Sequence, residues 1–341
     1  MFSSSRRNVL RTLAASPIVA AAATIPGLSR AAAPEFSFKF GHNQPTSHPM
    51  HIRAQEAAER IFAESKGRLE VKIFPNNQMG GDSDMLAQVR SGGLQMYAPS
   101  SAGLSTLVPV ATINAVGFSF ANYQQVWAAM DGQLGAHVRA AIEKVGLHPL
   151  ERVWDIGFRQ ITTSGRPING AQDMAGLKIR VPVSALFVSM FKALGAAPGS
   201  LQFAEIYTAL QTKVYDAQEN PLTIIQIAKM YEVQKYCSLT NHMWDGWWMI
   251  VNGRAWKELP PDLQQILSGA FNDAVLKERE DVRALDEATQ ADLKAKGMII
   301  NTTKPDSFRA ALKKAGFYEE WHKKFGNEAW GLLEQYVGKL S

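Results

Sequence analysis

Apolar and polar residues form a regular succession of patterns in the first third of the chain. Apolar residues alternate with polar ones in residues 36–40, 69–74 and 94–97, which predicts three strands. Between these segments, apolar residues recur at helical spacing through residues 50–62 and 85–89, which predicts two helices. The order predicts a parallel sheet with crossover helices. Ligands of such sheets bind beyond the carboxyl ends of the strands.

A second set of strand and helix patterns occupies the middle of the chain. Residues 177–181 alternate and end at Pro182, which predicts a strand with Arg180 near its end. Helices are predicted over residues 183–194 and 203–212, and a strand over 214–218. We therefore expect a second parallel α/β unit.

A third pattern, an apolar stripe at helical spacing, runs from Asp262 to about Leu293. Some thirty helical residues span roughly 45 Å, which is more than the width of one small lobe. We therefore expect this helix to lie along both α/β units, with further helices over residues 307–315 and 318–336 packed outside. The predicted fold class is α/β with two lobes.

Residues 1–33 have the features of an export signal. Arg6 and Arg7 form a twin-arginine motif before an apolar run, residues 13–25, that is too short for a membrane span. Removing the four arginines of this segment leaves 36 − 4 = 32 basic against 31 acidic residues, a net charge near +1. The remaining chain has no basic patch with interleaved aromatic residues, which argues against nucleic acid as a partner.

Two arginines are the strongest candidates for chemistry. Arg180 stands near a strand end, and Arg159 follows an apolar run beside Gly157. A guanidinium matches a carboxylate with two parallel hydrogen bonds, so both could hold one acidic ligand. The alternative is that each arginine lies on a solvated sheet edge, as most arginines do.

Four motifs resemble the solute-binding proteins of TRAP (tripartite ATP-independent periplasmic) transporters, DctP type. They are G-x-R at residues 157–159, D-x-x-G-L-K-x-R-V-P at 173–182, E-x-Y-x-A-L-Q at 205–211 and D-x-Q-E-N-P at 216–221. The resemblance implies a two-lobed periplasmic binding protein, type II-like, with a long helix bridging both lobes. It implies lobe I over residues 34–156 plus about 246–285, and lobe II over 157–245 plus about 286–341. The expected protein partners are the small and large permease components in the membrane.

The predicted ligand site combines these arginines with pocket loops and neighbouring side chains. Arg180 and Arg159 would neutralise a ligand carboxylate, and amides or hydroxyls would add hydrogen bonds. Asp245 would lie near the cleft mouth, and aromatic side chains could line the cleft, although core packing is the alternative for each of them. The eight candidates are Arg180, Arg159, Asn220, Asn43, Ser100, Trp244, Asp245 and Phe118.

The expected ligand is a carboxylate with an apolar or aromatic tail, because residues 97–101 carry no charge to hold hydroxyls. A sugar acid or C4-dicarboxylate is the alternative within the same family. We expect no cofactor, and no metal, because His42, His48 and His51 have no carboxylate or cysteine at a ligand spacing. An exported hydrolase is disfavoured, since no G-x-S-x-G or H-E-x-x-H motif occurs. The sequence is compatible with two oligomeric states, a monomer or a homodimer.

Overall fold

The computed structural model describes residues 33–340. The predicted export signal, residues 1–33, lies outside the described residues except for Ala33. Within the described range, no helix is both long and apolar enough to cross a membrane.

Strands and helices alternate along most of the described chain. The strands are β1 (Phe36–Gly41), β2 (Leu69–Phe74), β3 (Met96–Tyr97), β4 (Leu147–Pro149), β5 (Trp154–Phe158), β6 (Gln160–Thr163), β7 (Lys178–Val181), β8 (Ala197–Ser200), β9 (Ala217–Asn220), β10 (Tyr236–Leu239), β11 (Trp244–Trp247), β12 (Ile250–Asn252) and β13 (Ile299–Thr302). The helices are α1 (Pro49–Glu64), α2 (Asp82–Ser91), α3 (Ser101–Leu104), α4 (Tyr123–Met130), α5 (Gln133–Lys144), α6 (Ala185–Ala193), α7 (Ile206–Gln211), α8 (Leu222–Ile227), α9 (Gly253–Glu258), α10 (Pro261–Ala295), α11 (Pro305–Lys314) and α12 (Phe317–Val337).

The first sheet has the strand order β2-β1-β3-β12-β4. Strand β1 runs parallel to β2 and β3, with Phe36 opposite Leu69, as the alternating strand and helix patterns predicted. Strand β12 comes from much later in the chain and pairs antiparallel with β3 and β4. The parallel prediction is therefore right for β1–β3, and the sheet as a whole is mixed.

The second sheet has the order β13-β10-β6-β9-β7-β8 and is also mixed. Strand β7 is parallel to β8 and β9, whereas β6 is antiparallel to β9 and β10. The prediction of a wholly parallel second unit is therefore wrong. The predicted strand over residues 214–218 begins later, at Ala217, because the chain turns at Lys213, whose φ is +58°.

Two antiparallel strands, β5 and β11, connect the sheets. Strand β5 leads from β4 of the first sheet to β6 of the second, and β11 leads back from β10 to β12. The backbone N–H of Asp155 in β5 donates to Glu278 Oε2 of helix α10 at 3.0 Å, which attaches this ribbon to the long helix. The exact lobe boundaries given above stay a prediction.

Helix α10 is 35 residues long and contacts both halves of the molecule. Beside the first sheet, Asp281 of α10 pairs with Arg53 of α1 at 2.7 Å. Beside the second sheet, Asp286 accepts a hydrogen bond from Thr223 of α8 at 3.0 Å. The prediction of a long helix that spans two α/β lobes is confirmed, and the fold is a two-lobed α/β structure.

Candidate ligand-binding site

A cavity of about 40 Å³ lies between the two lobes, where the segments after β1 and β3 face the ends of β7 and β9. Seven of its lining residues are polar: Asn43, Gln44, Asp82, Ser100, Arg159, Arg180 and Asn220. Five are apolar: Ile156, Pro182, Phe203, Ile224 and Trp247. A second cavity of about 30 Å³ shares Asp82, Ser100, Arg180 and Pro182 with the first. Together they form one polar cleft.

Five of the eight predicted site residues lie on this cavity. They come from both lobes: Asn43 and Ser100 from the first, and Arg159, Arg180 and Asn220 from the second. The carboxyl ends of strands meet here, as expected for open α/β sheets.

Three predicted residues do not line the cavity. Phe118 is buried and stacks on Phe308, with ring centroids 5.5 Å apart. The indole N–H of Trp244 donates to Asp155 Oδ1 at 2.8 Å inside the core. Asp245 is buried behind Arg159, with Oδ2 3.6 Å from Nη1. The expectation that Phe118 and Trp244 face the cleft is therefore corrected to core packing.

The aromatic residue of β11 that does reach the cavity is Trp247. Residues three apart on a strand point to opposite faces, so Trp247 faces the cavity when Trp244 faces the core. The sequence has three neighbouring tryptophans, Trp244, Trp247 and Trp248. The alternation alone did not show which face of the strand borders the cleft.

Arg159 carries a charge that the protein itself compensates. Its Nε donates to Glu219 Oε2, and its Nη2 donates to Glu219 Oε1 at 2.9 Å and to Asn220 Oδ1 at 3.1 Å. His242 Nε2 lies 3.2 Å from the same carboxylate. Burial would raise the pKa of Glu219, but the Arg159 guanidinium and the His242 hydrogen bond bring it below its ordinary value. Arg159, on the cavity wall, and Glu219 behind it thus form a buried ion pair.

Arg180 is buried but lacks such a partner. Its Nε and Nη2 both donate to the carbonyl oxygen of Leu201, the former at 2.8 Å. Among the described side chains of residues 33–340, no carboxylate forms an ion pair with its guanidinium. Burial lowers the pKa of Arg180 to about 10, so the group stays protonated at neutral pH. Asp82 and Glu219 lie close enough to stabilise its charge electrostatically, but neither makes an ion pair with it. A buried cation on a cavity without a direct ion-pair partner is a site for an anion.

Asp82 places a carboxylate on the same cavity, although the sequence motifs did not indicate it as a site residue. Its Oδ1 accepts hydrogen bonds from Asn43 Nδ2 at 2.8 Å and from the Tyr97 hydroxyl at 3.1 Å. Burial raises the pKa of Asp82, although these hydrogen bonds and the positive charge of Arg180 oppose the shift. The available signal was its position: Asp82 opens the helix that follows β2, at the carboxyl edge of a parallel sheet.

The two lobes also touch directly beside the cavity. The backbone N–H of Ser83 in the first lobe donates to Gln202 Oε1 of the second at 3.4 Å. The hydroxyls of Ser105 and Ser184 lie 3.2 Å apart across the same cleft. The structure therefore shows the lobes in contact around the cavity.

Two α/β lobes, joined by a strand ribbon and a long helix around a polar cleft, define the class of solute-binding proteins. Residues 40–324 match the model of the family described as bacterial extracellular solute-binding protein, family 7. The chain belongs to this family, the DctP-type solute-binding proteins of TRAP transporters, as the four motifs predicted. Proteins of this family are periplasmic, bind small carboxylate ligands and work with membrane permease components.

Relatives in this family bind different organic acids. The C4-dicarboxylate-binding periplasmic protein DctP of Rhodobacter capsulatus is 30% identical over 269 residues, covering 79% of this chain and 79% of that protein. A TRAP solute-binding protein from a Polaromonas species, bound to D-erythronate, has a TM-score of 0.83 and 30% identity, covering 88% of this chain and 98% of its own. The sugar acid binding protein DctPAm from Advenella mimigardefordensis, in complex with galactonate, has a TM-score of 0.85 and 29% identity, covering 91% and 99%.

Proposed function

We propose that this protein is a receptor, not an enzyme, that captures a small hydroxylated organic acid in the periplasm and delivers it to a TRAP permease. The observation that carries the proposal is Arg180: a buried guanidinium on the interlobe cavity with no ion-pair partner in the described chain. The carboxylate of a ligand would supply a direct ion-pair partner for Arg180 in a site that excludes water.

Arg180 would hold the ligand carboxylate through the donors that Leu201 does not occupy. Asn220 is already oriented beside it, because its Oδ1 accepts from Arg159 and its Nδ2 donates to Gln218 Oε1 at 2.6 Å. Arg159 then acts by fixing Asn220 and Glu219, since Glu219 already neutralises its charge. This division of roles differs from the paired-arginine clamp that the sequence suggested.

Asp82 is the reason to propose a hydroxylated acid in preference to one with an aromatic tail. A buried carboxylate accepts a hydrogen bond from a ligand hydroxyl, whereas an apolar group beside it would leave it poorly solvated. The loop at residues 97–101 carries no charged side chain that could bind a ligand hydroxyl. Asp82, at the start of α2, lines the same cavity as Ser100 of this loop and supplies a carboxylate there. Relatives with bound D-erythronate and galactonate support the same ligand class.

The size of the site favours a small ligand. The two cavities have volumes of only about 40 and 30 Å³. Capture would proceed by closure of the lobes, which the ligand favours only as far as it binds the closed form better than the open form.

The twin-arginine segment, residues 1–33, would direct export of the chain.

The test is thermal unfolding of residues 34–341 with a panel of acids: short hydroxy acids, sugar acids, C4-dicarboxylates and aromatic 2-hydroxy acids. A ligand at a hundredfold excess over its dissociation constant stabilises the folded state by about 2.7 kcal/mol. Arg180→Met should abolish the shift, whereas Arg254→Met, an exposed arginine away from the cavity, should retain it. No shift with any acid, or an equal shift in Arg180→Met, would overturn the proposal.

A further inference from the structure

A series of hydrogen bonds, joined through the backbone and side chain of Gln44, connects a half-buried histidine to the ligand cavity. His51 Nδ1 lies 3.1 Å from Nε2 of the buried His42. The Nδ1 of His42 accepts from the backbone N–H of Gln44 at 3.2 Å. The Gln44 side chain donates to Asn43 Oδ1 at 2.8 Å, and Asn43 in turn donates to Asp82 at 2.8 Å.

The bond from Gln44 fixes the protonation of both rings. A neutral imidazole has one donor and one acceptor nitrogen. Because His42 Nδ1 accepts from the Gln44 N–H, the hydrogen of His42 must be on Nε2, which then donates to His51 Nδ1. His51 is therefore also neutral, with its hydrogen on Nε2.

We propose that His42 and His51 are positioning residues that hold the cavity wall formed by Asn43, Gln44 and Asp82, and that protonation of His51 weakens ligand binding. This inference rests on the proposed function. It assigns to the histidine pair a role in ligand affinity that neither residue could have through direct contact, because neither lines the cavity.

The direction of the effect follows from donors and acceptors. A protonated His51 carries hydrogens on both nitrogens, so Nδ1 would face the Nε2–H of His42 as donor against donor. If His42 moved its hydrogen to Nδ1, that hydrogen would face the Gln44 N–H instead. Either arrangement loses one hydrogen bond of the chain, so acid should loosen the segment that carries Asn43 and Gln44.

The surroundings of the pair add no compensating acid in the described residues. His48 is buried on the same segment and accepts from the Met50 N–H at 3.1 Å, so it too is neutral. Arg53, one half-turn along α1, is paired with Glu56 of α1 and Asp281 of α10. On the strand side, His42 contacts the ring of Phe40, with centroids 5.5 Å apart. Burial lowers the pKa of His42 and of His51, in agreement with a neutral pair.

The experiment measures by calorimetry the affinity of residues 34–341 for the acid that gives the largest thermal shift, at pH 7.5 and pH 5.0. Protonation of His51 removes one of the hydrogen bonds that position the cavity wall, so affinity should fall by about two- to tenfold between pH 7.5 and pH 5.0. His51→Asn keeps an acceptor oxygen at the place of Nδ1 but does not titrate. The affinity of this variant for the acid should therefore differ by less than twofold between pH 7.5 and pH 5.0. His51→Gln displaces that acceptor and should bind more weakly at both pH values.

The matched control is His148→Asn, a half-buried histidine that stacks on Trp256 away from the cavity. It should show the same fall as the unmodified protein. An equal fall in His51→Asn, or no fall in the unmodified protein, would overturn the role of the histidine pair. Failure of the proposed function is distinct, because it would appear as absent binding already at pH 7.5.

Discussion

Replacing Glu219 by Gln removes the negative charge from the buried ion pair with Arg159 while preserving the side-chain shape. Both residues are almost fully buried, at 0% and 4% exposure. Asp245 stays as the nearest other carboxylate, but its Oδ2 lies 3.6 Å from Arg159 Nη1 and makes no hydrogen bond to it. The substitution therefore leaves a buried guanidinium with incomplete compensation.

The size of the effect follows from the geometry of the pair. Breaking a buried ion pair on one side typically costs about 3–5 kcal/mol, because the remaining charge stays desolvated. The amide introduced by Glu219→Gln would also direct a donor toward the donors of Arg159 or His242, which now share one carboxylate. At roughly 2 °C per kcal/mol for a chain of this size, the melting temperature should fall by about 6–10 °C.

The assay is urea and thermal unfolding of the ligand-free protein. Glu205→Gln serves as the control, because Glu205 is an exposed carboxylate of the same lobe and its loss should cost less than about 0.5 kcal/mol. A loss below about 1 kcal/mol in Glu219→Gln would refute the view that Arg159 depends on this partner.

Three further outcomes are expected. A Cβ at Gly81 would overlap Gln202 Oε1, but this oxygen ends a flexible side chain that can turn away, so Gly81→Ala should lose only the Ser83–Gln202 hydrogen bond and weaken ligand binding by less than about 1 kcal/mol in calorimetry; a larger loss would contradict this view. Asp82→Asn should weaken binding of a hydroxy acid by about 1–3 kcal/mol but not that of its deoxy analogue, and equal losses for both acids would contradict the hydroxyl contact. Burial lowers the pKa of His42 and of His48 to about 3, so the unfolded state binds more protons below pH 6.5. The contribution of these two histidines to stability should therefore be full above pH 6.5 and fall toward pH 3 by about 1.4 kcal/mol per pH unit for each. Burial raises the pKa of Asp155 to about 7 and those of Asp245 and Asp286 to about 6, so these carboxyls act in the opposite direction over the same range. The test therefore compares the unmodified protein with His48→Asn from pH 7.5 to 4, and an equal pH dependence of the two urea midpoints would contradict the neutrality of His48.

Local pattern was sufficient for much of the fold. The alternation in residues 36–40 and 69–74 predicted β1 and β2 closely, and the apolar stripe from Asp262 predicted α10 to within a few residues at either end. The four motifs identified the family, which the comparison with the family model confirms. Pattern failed for β12, since nothing in this three-residue segment shows that it pairs between β3 and β4.

By itself, the sequence determined the periods of its strands and helices, the family, and the position of Arg180 and Asn220 near strand ends. Only the tertiary structure decided which arginine is free, because Arg159 meets Glu219 sixty residues away, through the antiparallel pairing of β6 with β9. It also decided that Asp82 and Trp247 face the cavity, while Trp244 and Phe118 face the core. The physical reason is that charge compensation and exposure depend on which distant segments become neighbours, and residue spacing along the chain carries no record of that.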